Sequence, residues 1–183
     1  MFLKRARTAS KRSITVAVGV VIARMISTQP VAAQTITAGN TSGARGTQVT
    51  IPVTLQNGGL NYFAATENRI AFDPINIPVA PKVDGTPDCT VNSGINKLAT
   101  FAFWPTGCTA GASCQQVRTA VYFTSASQNG LIADGATLYT CKINILGSAP
   151  VGQYPLVVTG TRGATGGGVT ITTTAVSGYV NAN

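Results

Sequence analysis

The chain has 183 residues, with 13 Lys and Arg against 5 Asp and Glu, and it contains no histidine. Without histidine, a Ser-His-Asp or Cys-His catalytic site and a His-ligated zinc or haem site are excluded. Five carboxylates also leave little material for a two-acid hydrolase or an acidic metal cage. The composition therefore favours a binding protein that is not an enzyme and needs no cofactor.

The first 33 residues predict a secretory signal peptide. They hold six of the basic residues and none of the acids, and an apolar run from Ser13 to Ala23 follows the basic start. Val31-Ala32-Ala33 places small residues ahead of a cleavage site before Gln34. A membrane anchor is the less favoured alternative, because Arg24 interrupts the run well short of the roughly 20 apolar residues that span a bilayer. We expect a secreted or cell-surface protein with no membrane span after cleavage.

Residues 34–183 retain seven basic and five acidic residues, a surplus of only two positive charges. So small a surplus does not provide the basic stripe that neutralises phosphates, so we expect no nucleic-acid partner. The length suits one domain, which we expect to span 34–183.

Short strands alternate with Gly-rich and Asn-rich turns along this domain. Val49, Ile51, Val53 and Leu55 alternate with polar residues, and Pro52 predicts an open edge or a bulge in that strand. Further strands are predicted at 66–72, 99–104, 117–124, 137–146, 154–159 and 169–180. No sustained helical repeat is present. The pattern predicts an all-β fold in which two sheets pack as a sandwich.

The four cysteines predict disulfides, because an exported protein meets an oxidising environment. Cys89, Cys108, Cys114 and Cys141 permit three pairings, among which the spacing does not choose. A four-thiolate zinc site is the less favoured alternative, since no Cys-x2-Cys pair is present.

Few polar residues stand out as candidates for a site. Asp84 and Asp88 lie close together in a loop and are weak calcium candidates. Asp73, followed by proline, favours a turn. Glu67 and Arg69 lie two residues apart in a strand and share one face, where they form either a solvated ion pair or part of a partner-binding surface.

Trp104 and Tyr122 are candidates for stacking against sugar rings, although aromatic residues in a sandwich more often fill the core. A pair of exposed, roughly coplanar rings would indicate direct carbohydrate binding.

Several stretches together resemble the cohesin family, within the wider superfamily of cohesin and carbohydrate-binding-module sandwiches. They are Gly46 to Leu55, Arg69 to Pro74, Ile132 to Ile145, Ala149 to Leu156, and Gly178 to Val180. With its cysteines, the chain looks like a cysteine-bearing variety of cohesin-like domain found in exported bacterial proteins. The resemblance implies a two-sheet antiparallel β-sandwich of the jelly-roll type with about nine strands.

The resemblance implies a non-catalytic module for protein recognition or adhesion, with a dockerin-like partner and a link to extracellular polysaccharide breakdown. It implies a recognition face built from the strands at 67–72, 99–104 and 117–124. It also implies the pairing Cys89–Cys141, which leaves Cys108–Cys114. Direct carbohydrate binding through Trp104 and Tyr122 is the alternative function.

Overall fold

The computed structural model describes residues 34–60 and 62–183. The predicted signal peptide, 1–33, lies outside the described residues. The described strands are β1 (Thr35–Ala38), β2 (Thr41–Gly43), β3 (Gln48–Gln56), β4 (Ala65–Ala71), β5 (Cys89–Val91), β6 (Leu98–Trp104), β7 (Gln116–Tyr122), β8 (Thr137–Asn144), β9 (Gly152–Ala164), β10 (Thr170–Thr172), β11 (Thr174–Val176) and β12 (Gly178–Ala182). Two single-turn 3-10 helices, Ser93–Ile95 and Ala126–Gln128, complete the described elements.

The strands form two sheets, as the alternation pattern predicts. The five-stranded sheet has the order β11-β1-β3-β8-β5. The seven-stranded sheet has the order β2-β12-β9-β4-β7-β6, with β10 paired to β9. The predicted all-β sandwich with disulfides is confirmed. The sheets are mixed, however, because β1 runs parallel to β11 and β12 runs parallel to β2, whereas the other strand pairs are antiparallel.

The core lies between the sheets and is built from the inward residues of both. Ile51, Val53 and Leu55 of β3 are buried, in the alternation read from the sequence. Ile70 of β4 and Leu156 of β9 approach from the other sheet within the same apolar cluster. Burial of these side chains is the main term that holds the two sheets together.

A polar contact also crosses the core. Tyr139 of β8 is fully buried, and its ring packs edge-on against Phe101 of β6, with 5.3 Å between the ring centroids. Its hydroxyl accepts a hydrogen bond from Asn68 Nδ2 at 2.7 Å and donates to Asn68 Oδ1 at 3.1 Å. Burial raises the pKa of Tyr139 to about 12, against the smaller opposing effect of its hydrogen bonds with Asn68.

Pro52 lies in an interior strand, at the point where pairing with β1 has ended. β3 pairs with β8 on one side and β1 on the other, and its register with β8 shifts between Val53 and Thr54. β1 pairs with residues 53–56 of β3, and Pro52 lies next to the end of that ladder. The Pro52 carbonyl accepts a hydrogen bond from Gly39 N–H at 2.8 Å, so the Pro52 nitrogen also faces the β1 side, beyond the last β1–β3 pair. The missing N–H therefore costs no ladder hydrogen bond, as the predicted open edge requires, and the bulge lies in β8, where Leu138 is the extra residue.

The segment 169–180 was predicted as one strand and instead forms three short ones. β10 pairs with β9, β11 crosses to pair with β1 of the other sheet, and β12 returns to pair with β9. A chain that changes sheets twice must interrupt its ladder at each crossing, so the long strand is broken. Within the described residues, no helix has the length and apolar character needed to cross a membrane.

Candidate functional site

The four residues singled out for binding lie on one side of one sheet. In β4, Thr66, Asn68 and Ile70 point into the core, so Glu67 and Arg69 point away from it. The same alternation in β6 and β7 turns Trp104 and Tyr122 outward. We call the solvent side of β6, β7, β4 and β9 the outer face.

Trp104 lies at one end of the outer face, against an arginine that the sequence reading overlooked. The guanidinium carbon of Arg118 is 3.4 Å from the centre of the Trp104 ring, a close cation–π contact. Ala102, directly opposite Arg118, is small enough to leave room for this stacking. One ring face of Trp104 is therefore covered by protein.

Trp104 and Tyr122 are far apart on the outer face. Trp104 is opposite Gln116, and Tyr122 lies six residues further along the same strand, so the two positions are separated by about 20 Å. They do not form the pair of neighbouring rings that a short sugar chain would stack on.

Two arginines face each other at the centre of the outer face. Arg69 of β4 is the direct cross-strand partner of Arg118 of β7. The Arg118 side chain extends toward Trp104, whereas the Arg69 side chain lies over Gly160 of β9, where an added Cβ would be 3.5 Å from Arg69 Nε. Gly160 has a φ of +59° in the irregular stretch of β9 opposite Asn68, a conformation that favours glycine.

Glu67 has a different partner from the one read in the sequence. Its Oε2 is 3.9 Å from Nε of Arg162, its cross-strand neighbour on β9, and within the described part of the chain no ion pair joins it to Arg69. The Arg162 and Glu67 side chains are 60% and 46% exposed, so this long, solvated pair contributes little to stability.

Two hollows lie at opposite ends of the outer face. Glu67, Tyr122 and Arg162 surround a hollow of about 250 Å³, which is open because Ala65, Ala120 and Ala164 lie between the larger side chains. Ala71, Val157 and Tyr154 contribute to a second hollow of about 330 Å³. Both are shallow depressions in a sheet surface, with the paired arginines between them.

Asp73 borders the second hollow, but its carboxylate is committed to its own turn, as predicted. Oδ1 accepts hydrogen bonds from the backbone N–H groups of Ile75 at 2.8 Å and Asn76 at 3.1 Å, and Oδ2 accepts one from the Asn76 side chain. Burial acts to raise the pKa of Asp73, but these hydrogen bonds outweigh it, so the pKa lies below its usual value.

The two calcium candidates are separately engaged. Asp84 Oδ1 accepts hydrogen bonds from the backbone and side chain of Thr86, and these bonds hold the pKa of Asp84 below its usual value. Asp88 Oδ2 is 2.9 Å from Nζ of Lys142. Among the described residues, no group of three or more Cys, Asp and Glu side chains is arranged to hold a metal ion.

The last of the five carboxylates, Asp134, is structural. Its Oδ1 accepts hydrogen bonds from the backbone N–H groups of Asn57 at 2.6 Å and Gly58 at 3.2 Å, joining two turns far apart in the sequence. Asn57 is itself fully buried and donates to the carbonyl of Ile132. Each of the five carboxylates thus has its own protein partner, and no two of these partners coincide.

The cysteines form the pairs that the resemblance implies. Cys89 and Cys141 are opposite each other on β5 and β8, both buried, and are joined by a disulfide. Cys108 and Cys114 close the loop between β6 and β7.

Arg118 and Arg162 are the residues of the outer face that the sequence reading missed. The alternation of Arg118 with Val117, Thr119 and Val121 marks it as outward, and that signal was available. Its position opposite Arg69 depends on strand register, which the sequence does not give.

Comparison of the chain with models of protein families gives no match, and no curated protein matches it. Solved structures do match. A chain of a type I cohesin–dockerin complex from Clostridium thermocellum superposes with a TM-score of 0.66 at 13% identity, over 82% of this chain and 99% of that one. The third cohesin of ScaC from Acetivibrio cellulolyticus, solved with the ScaB dockerin, gives a TM-score of 0.62 at 18% identity, over 81% of this chain and 98% of that one.

A third match is a non-cellulosomal cohesin from the archaeon Archaeoglobus fulgidus. It superposes with a TM-score of 0.60 at 16% identity, over 83% of this chain and 92% of that one. At identities this low, the superpositions establish the fold alone. The described residues form a cohesin-like β-sandwich.

Proposed function

We propose that this protein is an exported, non-catalytic recognition module that binds a partner protein through the outer face. The observation that carries the proposal is the convergence of Glu67, Arg69, Trp104 and Tyr122 on one sheet surface of a cohesin-like fold. Two of the matching structures are complexes of a cohesin with a dockerin, which supports a dockerin-like partner for this chain. The disulfides are compatible with export through the signal peptide that residues 1–33 predict.

A dockerin-like partner would connect the module to extracellular polysaccharide breakdown, with this chain supplying attachment and the partner supplying the enzyme. The engagement of every carboxylate in a separate structural contact supports a non-catalytic role.

Paired threonine variants test whether the outer face is the binding surface. Thr100 on β6 is exposed on the outer face, and Thr50 on β3 is exposed on the outside of the other sheet. Immobilised protein should capture a dockerin-bearing protein from the culture fluid of the producing organism. We expect Thr100→Trp to reduce capture about tenfold or more by placing uncharged bulk in the interface, and Thr50→Trp to leave it unchanged. Equal capture by both variants would reject the outer face.

Direct carbohydrate binding is the alternative, and Trp104 on the outer face is the observation in its favour. Two observations favour a protein partner over a sugar. The Arg118 guanidinium covers one face of the Trp104 ring, and Tyr122 is too far from Trp104 to stack on the same short sugar chain. Retention of the protein on cellulose, chitin or xylan, lost in Trp104→Ala, would favour the alternative.

A further inference from the structure

The net charge of residues 34–183 is concentrated on the outer face. Three of the seven basic residues project from its strands, namely Arg69, Arg118 and Arg162, together with the single acid Glu67. The remaining four basic and four acidic residues lie off these strands and cancel, although one of the acids, Asp73, borders the second hollow. The surplus of two positive charges therefore belongs to this surface.

The central arginines place two like charges at directly opposed positions of neighbouring strands. Like charges directly opposite each other on neighbouring strands are destabilising, and Arg69 and Arg118 are such a pair. Among the described residues, neither arginine forms an ion pair with a carboxylate. A charge arrangement that works against the sheet points to a role outside it.

The Arg118 side chain is also fixed in position before any ligand binds. Its guanidinium is stacked on Trp104, which restricts its rotamers, and its Nε is buried without a hydrogen-bond acceptor among the described residues. A planar guanidinium fixed in this way loses little further freedom when it binds a carboxylate, for which its donor geometry is suited.

We propose that the outer face selects a protein partner that presents carboxylate side chains to Arg69 and Arg118. This inference rests on the proposed function and adds to it the chemistry of the partner. An acidic partner supplies the counter-charge that this chain lacks and removes the repulsion between the two arginines. The hollows on either side of the arginine pair offer room for the partner's small apolar side chains.

The surface suits an acidic protein better than an acidic polysaccharide. Sugar rings bind by stacking on open aromatic faces, but Arg118 covers one face of Trp104, and Tyr122 lies at the far end of the sheet. A broad sheet surface with two shallow hollows offers the wide contact area that a protein partner needs.

The probe for this proposal is a yeast-displayed library of a two-helix protein whose residues on one helical surface are randomised. Members that bind the wild-type protein are selected and sequenced. We expect Asp and Glu to be enriched among them, and their binding to weaken by about tenfold or more with Arg69→Gln/Arg118→Gln. The matched control is Arg45→Gln/Lys82→Gln, which removes the same charge from exposed positions away from the outer face and should leave binding unchanged.

Exchanging the charges between the two partners tests whether the arginines contact the selected acids directly. Arg69→Glu/Arg118→Glu should abolish binding of an acidic member, and replacement of the selected acids by Lys should restore it. Circular dichroism and thermal unfolding of each variant verify that the sandwich is intact.

Two results would overturn the inference while leaving the proposed function standing. They are selected members that lose binding with Thr100→Trp but show no acidic enrichment, and acidic members that bind the two double Gln variants equally. Members that are indifferent to Thr100→Trp would count against the proposed function itself. Retention of the wild type by polygalacturonate in affinity electrophoresis, lost in Arg69→Gln/Arg118→Gln, would assign the arginines to an anionic polysaccharide and overturn the protein partner.

Discussion

At the scale of single residues, the polar groups of this protein are mostly committed to structure. Asp73, Asp84 and Asp134 accept hydrogen bonds within or between turns, and Asp88 pairs with Lys142. The turn role of Asp73 was predictable, because Asp followed by Pro favours this local geometry. The bond from Asn57 to Asp134 was not, because it joins residues separated by 77 positions.

Titration of the Tyr139 hydroxyl makes the free energy of unfolding depend on pH in the alkaline range. Its pKa is about 12 in the folded protein and about 10 in an unfolded chain, so above pH 10 the unfolded state loses the proton first. The folded state then binds more protons, and stability falls as pH rises between the two values, by about 3 kcal/mol in all.

The variant Tyr139→Phe tests this assignment. At pH 7 we expect a loss of about 1–3 kcal/mol, because Asn68 is left without its buried partner. Urea unfolding between pH 9 and 11.5 should then show a clearly shallower decline for the variant than for the wild type. Parallel declines would mean that Tyr139 does not carry the alkaline dependence.

At the scale of elements, the strands with a full alternation pattern were predicted and the shortest strands were not. β3 shows several apolar-polar cycles, whereas β2 and β5 have three residues each and give no period to read. Glu67 and Arg69 were correctly placed on one face, because residues two apart in a strand share a face. Their neighbours across the sheet depend on register between distant strands, so the arginine pair emerged only from the structure.

A close approach between β9 and the core makes Gly163 sensitive to substitution. A Cβ built on Gly163 would come within 2.5 Å of the ring of Phe63, which is fully buried and has little room to move. We expect Gly163→Ala to lower the free energy of unfolding by about 1–3 kcal/mol through overpacking.

The matched control is Gly167→Ala, in the loop between β9 and β10, where the nearest atom to an added Cβ is 3.9 Å away. Urea unfolding should show near-wild-type stability for this variant. Similar losses in both variants would point to a general effect of glycine replacement on the chain and against the contact with Phe63.

At the scale of the whole molecule, two disulfides act on loops of very different size. Cys89 and Cys141 are 52 residues apart, whereas Cys108 and Cys114 are 6 apart. Because the entropy that a bridge removes from the unfolded chain grows with loop length, we expect losses of about 4 and about 2 kcal/mol when each is removed.

The measurement is chemical unfolding of Cys89→Ala/Cys141→Ala and Cys108→Ala/Cys114→Ala without reductant. A larger loss for the second variant would contradict the loop-length argument. The fold class of the molecule was predictable from its strand pattern, but the pairing of the cysteines followed from the family resemblance, since spacing alone permits three arrangements.

The position of the longer bridge has a consequence for producing the protein. Cys89 and Cys141 are register partners within one sheet, so the bridge between them fixes β5 beside β8 in this register. Formation of this bridge therefore reports correct strand pairing at one edge of the sheet, which a spectrum of secondary structure does not. A thiol count and a peptide map that shows the Cys89–Cys141 link are needed to recognise finished material.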